Sequence, residues 1–153
     1  MKPETIKLNR ILCPIDFSAH SHAANFYASM FAEAAGAHII FLSVDWPPSN
    51  EIPVGNRLDD LFSKLSAEIR PVSHEIDYLF EVRSGDPAAE ILKYAKEHMI
   101  DLIVMGTHGY TGLNRLLHGS VCGQVLRHAT CPVMAVKNAS KSNLLLSEDQ
   151  ASA

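Results

Sequence analysis

The densest chemistry in this chain lies between Gly106 and Val121. The run is Gly106-Thr107-His108-Gly109, then nine residues, then Gly119-Ser120-Val121. Paired glycines let a backbone approach a ligand with no Cβ in the way. A Gly-Ser pair at a helix start adds N–H groups, a hydroxyl and the positive end of the helix dipole. Together these are the parts of a phosphate cradle. The loop is not a Walker A motif, because G-x-x-x-x-G-K-[ST] is absent and no lysine lies inside it. Nor is it a dinucleotide fingerprint after a first strand, where Pro14 and Asp16 stand instead. A lone glycine after a strand is also an ordinary turn residue, so the spacing of the whole set carries the reading. Asp16 is the second group of interest. A carboxylate at a strand end can meet a ribose, cap the following helix or pair with a surface base.

Charge distribution agrees with an anion. The 153 residues carry 13 Lys and Arg against 17 Asp and Glu, a net of −4. Yet no acid occurs from Leu102 to Ser147, a stretch holding Arg115, Arg127, Lys137 and Lys141. It therefore carries +4 and leaves −8 for the remainder. The net acidity argues against a dedicated nucleic-acid binder. Only Arg115 is a full cation inside the loop, so backbone N–H groups are the expected anion ligands, with missing acids as the permissive condition.

These residues need a scaffold, and 47% hydrophobic content is ample for a core. Five short apolar runs read as strands: 11–15, 39–44, 78–82, 102–105 and 133–136. Most are apolar on both faces, the mark of a parallel sheet covered by helices on each side. Between them lie helix-period segments. Ser18 caps one whose apolar positions are Ala23, Phe26, Tyr27, Met30, Phe31 and Ala34, ending at Gly36. Leu58, Leu61, Phe62, Leu65 and Ile69 mark a second, stopped near Pro71. Asp86-Pro87 starts a third with Ile91, Leu92 and Ala95 inward. A fourth begins near Ser120, with Val121, Val125 and Leu126 inward. The alternation gives one α/β domain over 1–137, Rossmann-like, with a polar tail over 138–153 expected to lack order unless Leu144-Leu145-Leu146 docks. Ligands of such sheets bind beyond the carboxyl ends of the strands.

Three cysteines, Cys13, Cys122 and Cys131, are odd in number and form no C-x-x-C, which suits a reducing compartment. The opening ten residues show no leader-type apolar stretch, and no run approaches the ~20 residues of a membrane span. A cytoplasmic setting is expected. His20 and His22 sit two apart on an early helix turn and so point to different faces, which suits solvent better than a metal.

At this point the residues carry a resemblance. Gly106-x-x-Gly109, nine residues and Gly119-Ser120 resemble the signature of the universal stress protein family's ATP-binding branch. Residues 11–18, Gly85-Asp86-Pro87, 101–109 and 131–136 are similar to its first strand and turn, third-helix start, fourth strand and last strand. The resemblance spans about residues 8–137. It implies an open five-stranded parallel sheet in the order 3-2-1-4-5, like that of adenine-nucleotide alpha hydrolases. It also implies ATP, with or without Mg, as ligand. By position it assigns Asp16, with Pro14 and Ile15, to the nucleoside side. Val44 matches the adenine edge and Met105 the nucleoside face. Gly106, His108, Gly109, Gly119, Ser120 and Val121 belong to the phosphate and ribose loop. A homodimer through Val133, Met134, Ala135 and Val136 would cover an uncharged edge strand that is otherwise an aggregation hazard. Two positions depart from the pattern: Tyr110 where a basic residue is common, and His118 where leucine is. An imidazole there offers a charge that switches near neutral pH.

Two other function classes remain open on the sequence. A slow ATP hydrolase of the same fold would need a general base, for which only His108 or His118 is at hand, and no acidic pair is placed to hold two metals. The Ser-Gly-Gly pyrophosphate loop of the ATP pyrophosphatases is missing after the first strand. A protein-binding module with a vacant pocket is the third class, as in relatives that lack the glycines. A flavodoxin-like carrier is a fold-level analogy alone.

Overall fold

A computed structural model describes residues 6–46, 50–107 and 120–137. Its elements follow the expected alternation: β1 (Arg10–Pro14), α1 (Ala19–Ala35), β2 (His38–Asp45), α2 (Val54–Glu68), β3 (Tyr78–Ser84), α3 (Pro87–Glu97), β4 (Leu102–Gly106), α4 (Val121–His128) and β5 (Val133–Val136). All strand pairs are parallel, and the spatial order is β3-β2-β1-β4-β5. The order reverses at β1, which lies between β2 and β4.

Strand alternation sorts the core into two layers. Ile11, Cys13, Ile15, Ile39, Phe41 and Val104 face α1 and α2. Leu12, Ile40, Leu42, Ile103 and Met105 face α3 and α4. A strand buried on both faces must be apolar at every position, which is why these runs read as continuous rather than alternating. At the far edge, the Asp101 carboxylate accepts the N–H groups of Asn9 and Arg10 at 2.8 and 2.9 Å, tying the starts of β1 and β4 together. On the other side, the Arg83 guanidinium lies over the Tyr94 ring at 4.9 Å and pairs with Glu97 at 3.1 Å, so β3 is held to α3.

Helix termini form where their local chemistry dictates. Ser18 accepts the Ser21 N–H, Asp86 accepts the Ala89 N–H with Pro87 in the first turn, and Gly36 ends α1 at φ 66°. Only glycine adopts that left-handed cap without strain.

Two buried faces differ from the sequence pattern. In α1 the inward residues are Ser21, Ala24, Asn25, Ala28, Ser29 and Ala32, whereas Phe26, Tyr27, Met30 and Phe31 are exposed. The reason is spacing. A Cβ built on Gly106 would stand 2.7 Å from the His20 Cβ and 2.8 Å from its carbonyl carbon, so α1 presses on the end of β4 too closely for large side chains. Asn25 and Ser29 use this face for hydrogen bonds, Asn25 Nδ2 donating to the Arg70 carbonyl at 2.7 Å and Ser29 Oγ accepting the Val72 N–H at 3.2 Å. In α4, Cys122 and Val125 are buried and Leu126 is exposed, one position away from the expected stripe.

Gly106→Ala tests this contact. Backbone atoms of His20 stand in the way, so the substitution is expected to cost roughly 1–3 kcal/mol. Urea unfolding checks it: the midpoint falls while the slope stays unchanged.

Candidate functional site

The carboxyl ends of the strands gather most of the residues singled out above. β1 ends at Pro14. Ile15 follows with its side chain buried on the α1 side, its N–H donating to the Leu42 carbonyl at 2.8 Å and its carbonyl accepting the Ser43 hydroxyl at 2.8 Å. Its backbone groups are therefore engaged within the sheet. The chain then turns sharply: Phe17 has φ 65°, a left-handed conformation uncommon for an aromatic residue, and the Lys64 ammonium sits 4.2 Å from its ring centre.

That turn aims Asp16 outward at the edge. Its Oδ1 accepts both the Ser18 N–H at 3.0 Å and the Ser18 hydroxyl at 2.5 Å, and Ser18 Oγ in turn accepts the Ser21 N–H at 3.2 Å. Of the roles weighed for Asp16, support of the helix cap is realised directly. Ser18 is the cap itself, as its residue type requires.

β2 leaves Val44 half-buried beside Asp45. The Asp45 carboxylate receives Arg57 Nε at 2.9 Å and the Ser84 hydroxyl at 3.2 Å, so this acid is neutralised by an ion pair. Sequence spacing gave no hint of the pair, because Arg57 comes from a helix twelve residues on. β4 ends with Met105 buried and Gly106 half-buried, and the Thr107 N–H donates to the Val136 carbonyl at 3.0 Å.

On the α3 and α4 side of the sheet, Val44, Met105 and Val121 belong to one packed cluster. Pro14 follows Leu12 on the same face by strand alternation. Val121, in the first turn of α4, thus packs against the same cluster as Met105 at the end of β4. Ser120 caps α4, its Oγ accepting the Gly123 N–H at 2.9 Å, and a Cβ on Gly123 would come 3.0 Å from that oxygen. His108, Gly109 and Gly119 lie outside the described residues.

Burial raises the thiols of Cys13, Cys122 and Cys131 above their ordinary value, so none is a ready thiolate. Among the described residues no group of three His, Cys, Asp or Glu is arranged to hold a metal ion, and no helix is long and apolar enough to cross a membrane. What the edge does offer is a capped helix start, small residues and hydrogen-bonded turns. A helix start of this kind can hold an anion.

The universal stress protein family model matches residues 7–137. The chain belongs to the universal stress protein family. Among curated relatives, Universal stress protein MJ0531 of Methanocaldococcus jannaschii is 32% identical over 143 residues, covering 86% of this chain and 84% of that protein. The solved structure of the universal stress protein UspA from Lactobacillus plantarum is 27% identical with a TM-score of 0.66, covering 85% of this chain and 98% of that one. A universal stress protein from Archaeoglobus fulgidus, solved in complex with dAMP, has a TM-score of 0.63 at 18% identity, covering 86% and 99%. This family's sheet, a five-stranded parallel sheet ordered 3-2-1-4-5, is the one described above.

Removing the α4 cap has a defined consequence. Ser120→Ala is expected to cost about 1 kcal/mol, the usual worth of such a cap. Amide exchange reads it locally: the Gly123 N–H loses protection while the amides of β1 and β2 keep theirs.

Proposed function

We propose that this universal stress protein binds an adenine nucleotide, ATP with or without Mg, at the carboxyl edge of its sheet and acts as a dimeric nucleotide-sensing module. The observation that carries the reading is the Ser120-capped start of α4, whose Val121 packs against the same cluster as Met105 at the carboxyl end of β4. An anion there meets helix N–H groups and the dipole, with no carboxylate from Leu102 to Ser147 to repel it. Val44 and Met105, packed in one cluster with Val121, supply an apolar floor for a base on the same side. In this reading Pro14 and Asp16 flank the nucleoside, while Gly106, His108, Gly109 and Gly119 serve the ribose and phosphates. Ile15 contributes through the turn it anchors. A dAMP complex in a protein of the same fold supports the ligand class.

Calorimetric titration of the purified chain with ATP, ADP, AMP, dAMP and cyclic AMP tests the proposal. Binding of at least one at micromolar to millimolar strength is expected, together with its loss in Gly119→Val. Absence of any heat or shift from all five overturns it. Phosphate release above that of Ser120→Ala would instead favour the slow hydrolase.

The dimer belongs to the same proposal. β5 pairs with β4 on one side, and among the described residues nothing lies along its other edge. The bonds from Ile103 to Pro132 and from Thr107 to Val136 fix which groups turn inward, so the backbone of Val133 and Ala135 points outward. Ala135→Pro removes one outward donor and leaves the β4 bonds intact, as an edge strand tolerates. Sedimentation should then show the chain shifting from dimer to monomer. An unchanged mass would exclude this edge as the interface.

A further inference from the structure

The outer face of α1 is apolar and uncovered. Phe26 is 50% exposed, Met30 49%, Phe31 39% and Tyr27 38%. At 100° per residue Phe26, Met30, Tyr27 and Phe31 follow one another over about 140° of the helix surface, with Phe31 bordering the Ser21, Ala24, Ala28 and Ala32 face that packs on the sheet. Phe26 and Tyr27 meet edge to face, with ring centres 5.6 Å apart. A helix apolar on both faces is normally buried on both. Something is therefore expected to cover this stripe.

Its area narrows the choice of occupant. Four side chains of this size, each about two-fifths to half exposed, offer about 350 Å². A stable interface between two copies needs about 800 Å² from each. The stripe is thus too small to hold a dimer alone and suits a short apolar segment that is already tethered. Tethering raises the local concentration of such a segment to about the millimolar range, so a weak contact suffices.

The chain carries one such segment. Beyond Lys137 its only large apolar residues are Leu144, Leu145 and Leu146. They also depart from a suitable place. The Val136 carbonyl is bonded to the Thr107 N–H, and the adjacent Gly106 abuts His20 in the first turn of α1. Seven residues from Lys137 to Leu144 span up to ~25 Å when extended. Phe26 and Phe31 lie about 9 and 16 Å along the helix from His20. The leucines reach the stripe with length to spare for passing round the helix.

We infer that Leu144-Leu145-Leu146 docks on the outer stripe of α1, formed by Phe26, Tyr27, Met30 and Phe31. The three leucines carry an apolar area similar to the one they cover, and the flanking Ser, Asn, Glu and Asp residues stay in water. The contact is a strap from the end of the last strand across the first helix. It uses no residue assigned to the nucleotide and stands independently of that reading.

Photocrosslinking of the full purified chain tests it. A p-benzoyl-phenylalanine replacing Tyr27, and in a second preparation Met30, should form an adduct within the same chain that maps to residues 143–147. The yield should not depend on protein concentration and should vanish when Leu144, Leu145 and Leu146 are all changed to serine. Two labelled positions guard against one of them disturbing the fold. An adduct between chains, an adduct elsewhere in the chain, or none at either position overturns the proposal.

Discussion

The close seating of α1 on the ends of β1 and β4 governs much else in this molecule. Gly106 leaves no room for a Cβ beside His20, so the first turn of the helix sits directly on the sheet edge. A helix held that near can present only Ala, Ser and Asn inward. Its bulky residues are driven outward, not because they are polar but because the inner space is already used. The same seating demands an abrupt exit from β1. Phe17 takes the left-handed conformation, and Asp16 steadies the result by accepting two hydrogen bonds from Ser18. Strained backbone at a sheet edge persists only where surrounding contacts over-determine it, and here the cap, the Lys64–Phe17 contact and the Ile15 bonds do so together.

The sequence shows these elements with unequal clarity. Strands were readable because a doubly covered parallel sheet tolerates no polar position in its middle. All five expected runs lie on observed strands to within two residues at each end, the largest difference being the extension of β3 through Arg83 and Ser84. Caps were readable because they are local: Ser18, Asp86, Ser120 and Gly36 each act within four residues. Strand order was legible only through the family resemblance. Periodicity carries no information about which strands become neighbours.

Helix faces were harder. In α1, both the small stripe and the large stripe repeat at helical spacing, and hydrophobicity alone favours the wrong one. What decides is the close approach of helix to sheet at Gly106, 86 residues beyond His20 in sequence. The same glycine shows how one position can carry two uses. Its place in the glycine motif makes room for a ligand, and the fold adds the close approach of α1. One missing Cβ can serve both purposes. Asp45 shows the reverse case, a carboxylate at the candidate edge whose charge is compensated by Arg57, a partner that no local pattern announced.

These charge arrangements bear on how such an edge could hold a polyphosphate. Of the acids at the strand ends, Asp45 is ion-paired, Asp16 is hydrogen-bonded to a helix cap and Asp86 is itself a cap. Each carboxylate is thus turned to a structural use rather than left to project its charge into the space above the strands. The acid-free stretch beginning at Leu102 removes further repulsion on the other side. Attraction need not then come from a cluster of lysines. Backbone N–H groups at the start of α4 are fixed in place by Ser120 and Val121, lose no side-chain entropy on binding, and keep the same charge at every physiological pH. A site built this way depends on the rigidity of its helix, and that rigidity depends on the cap.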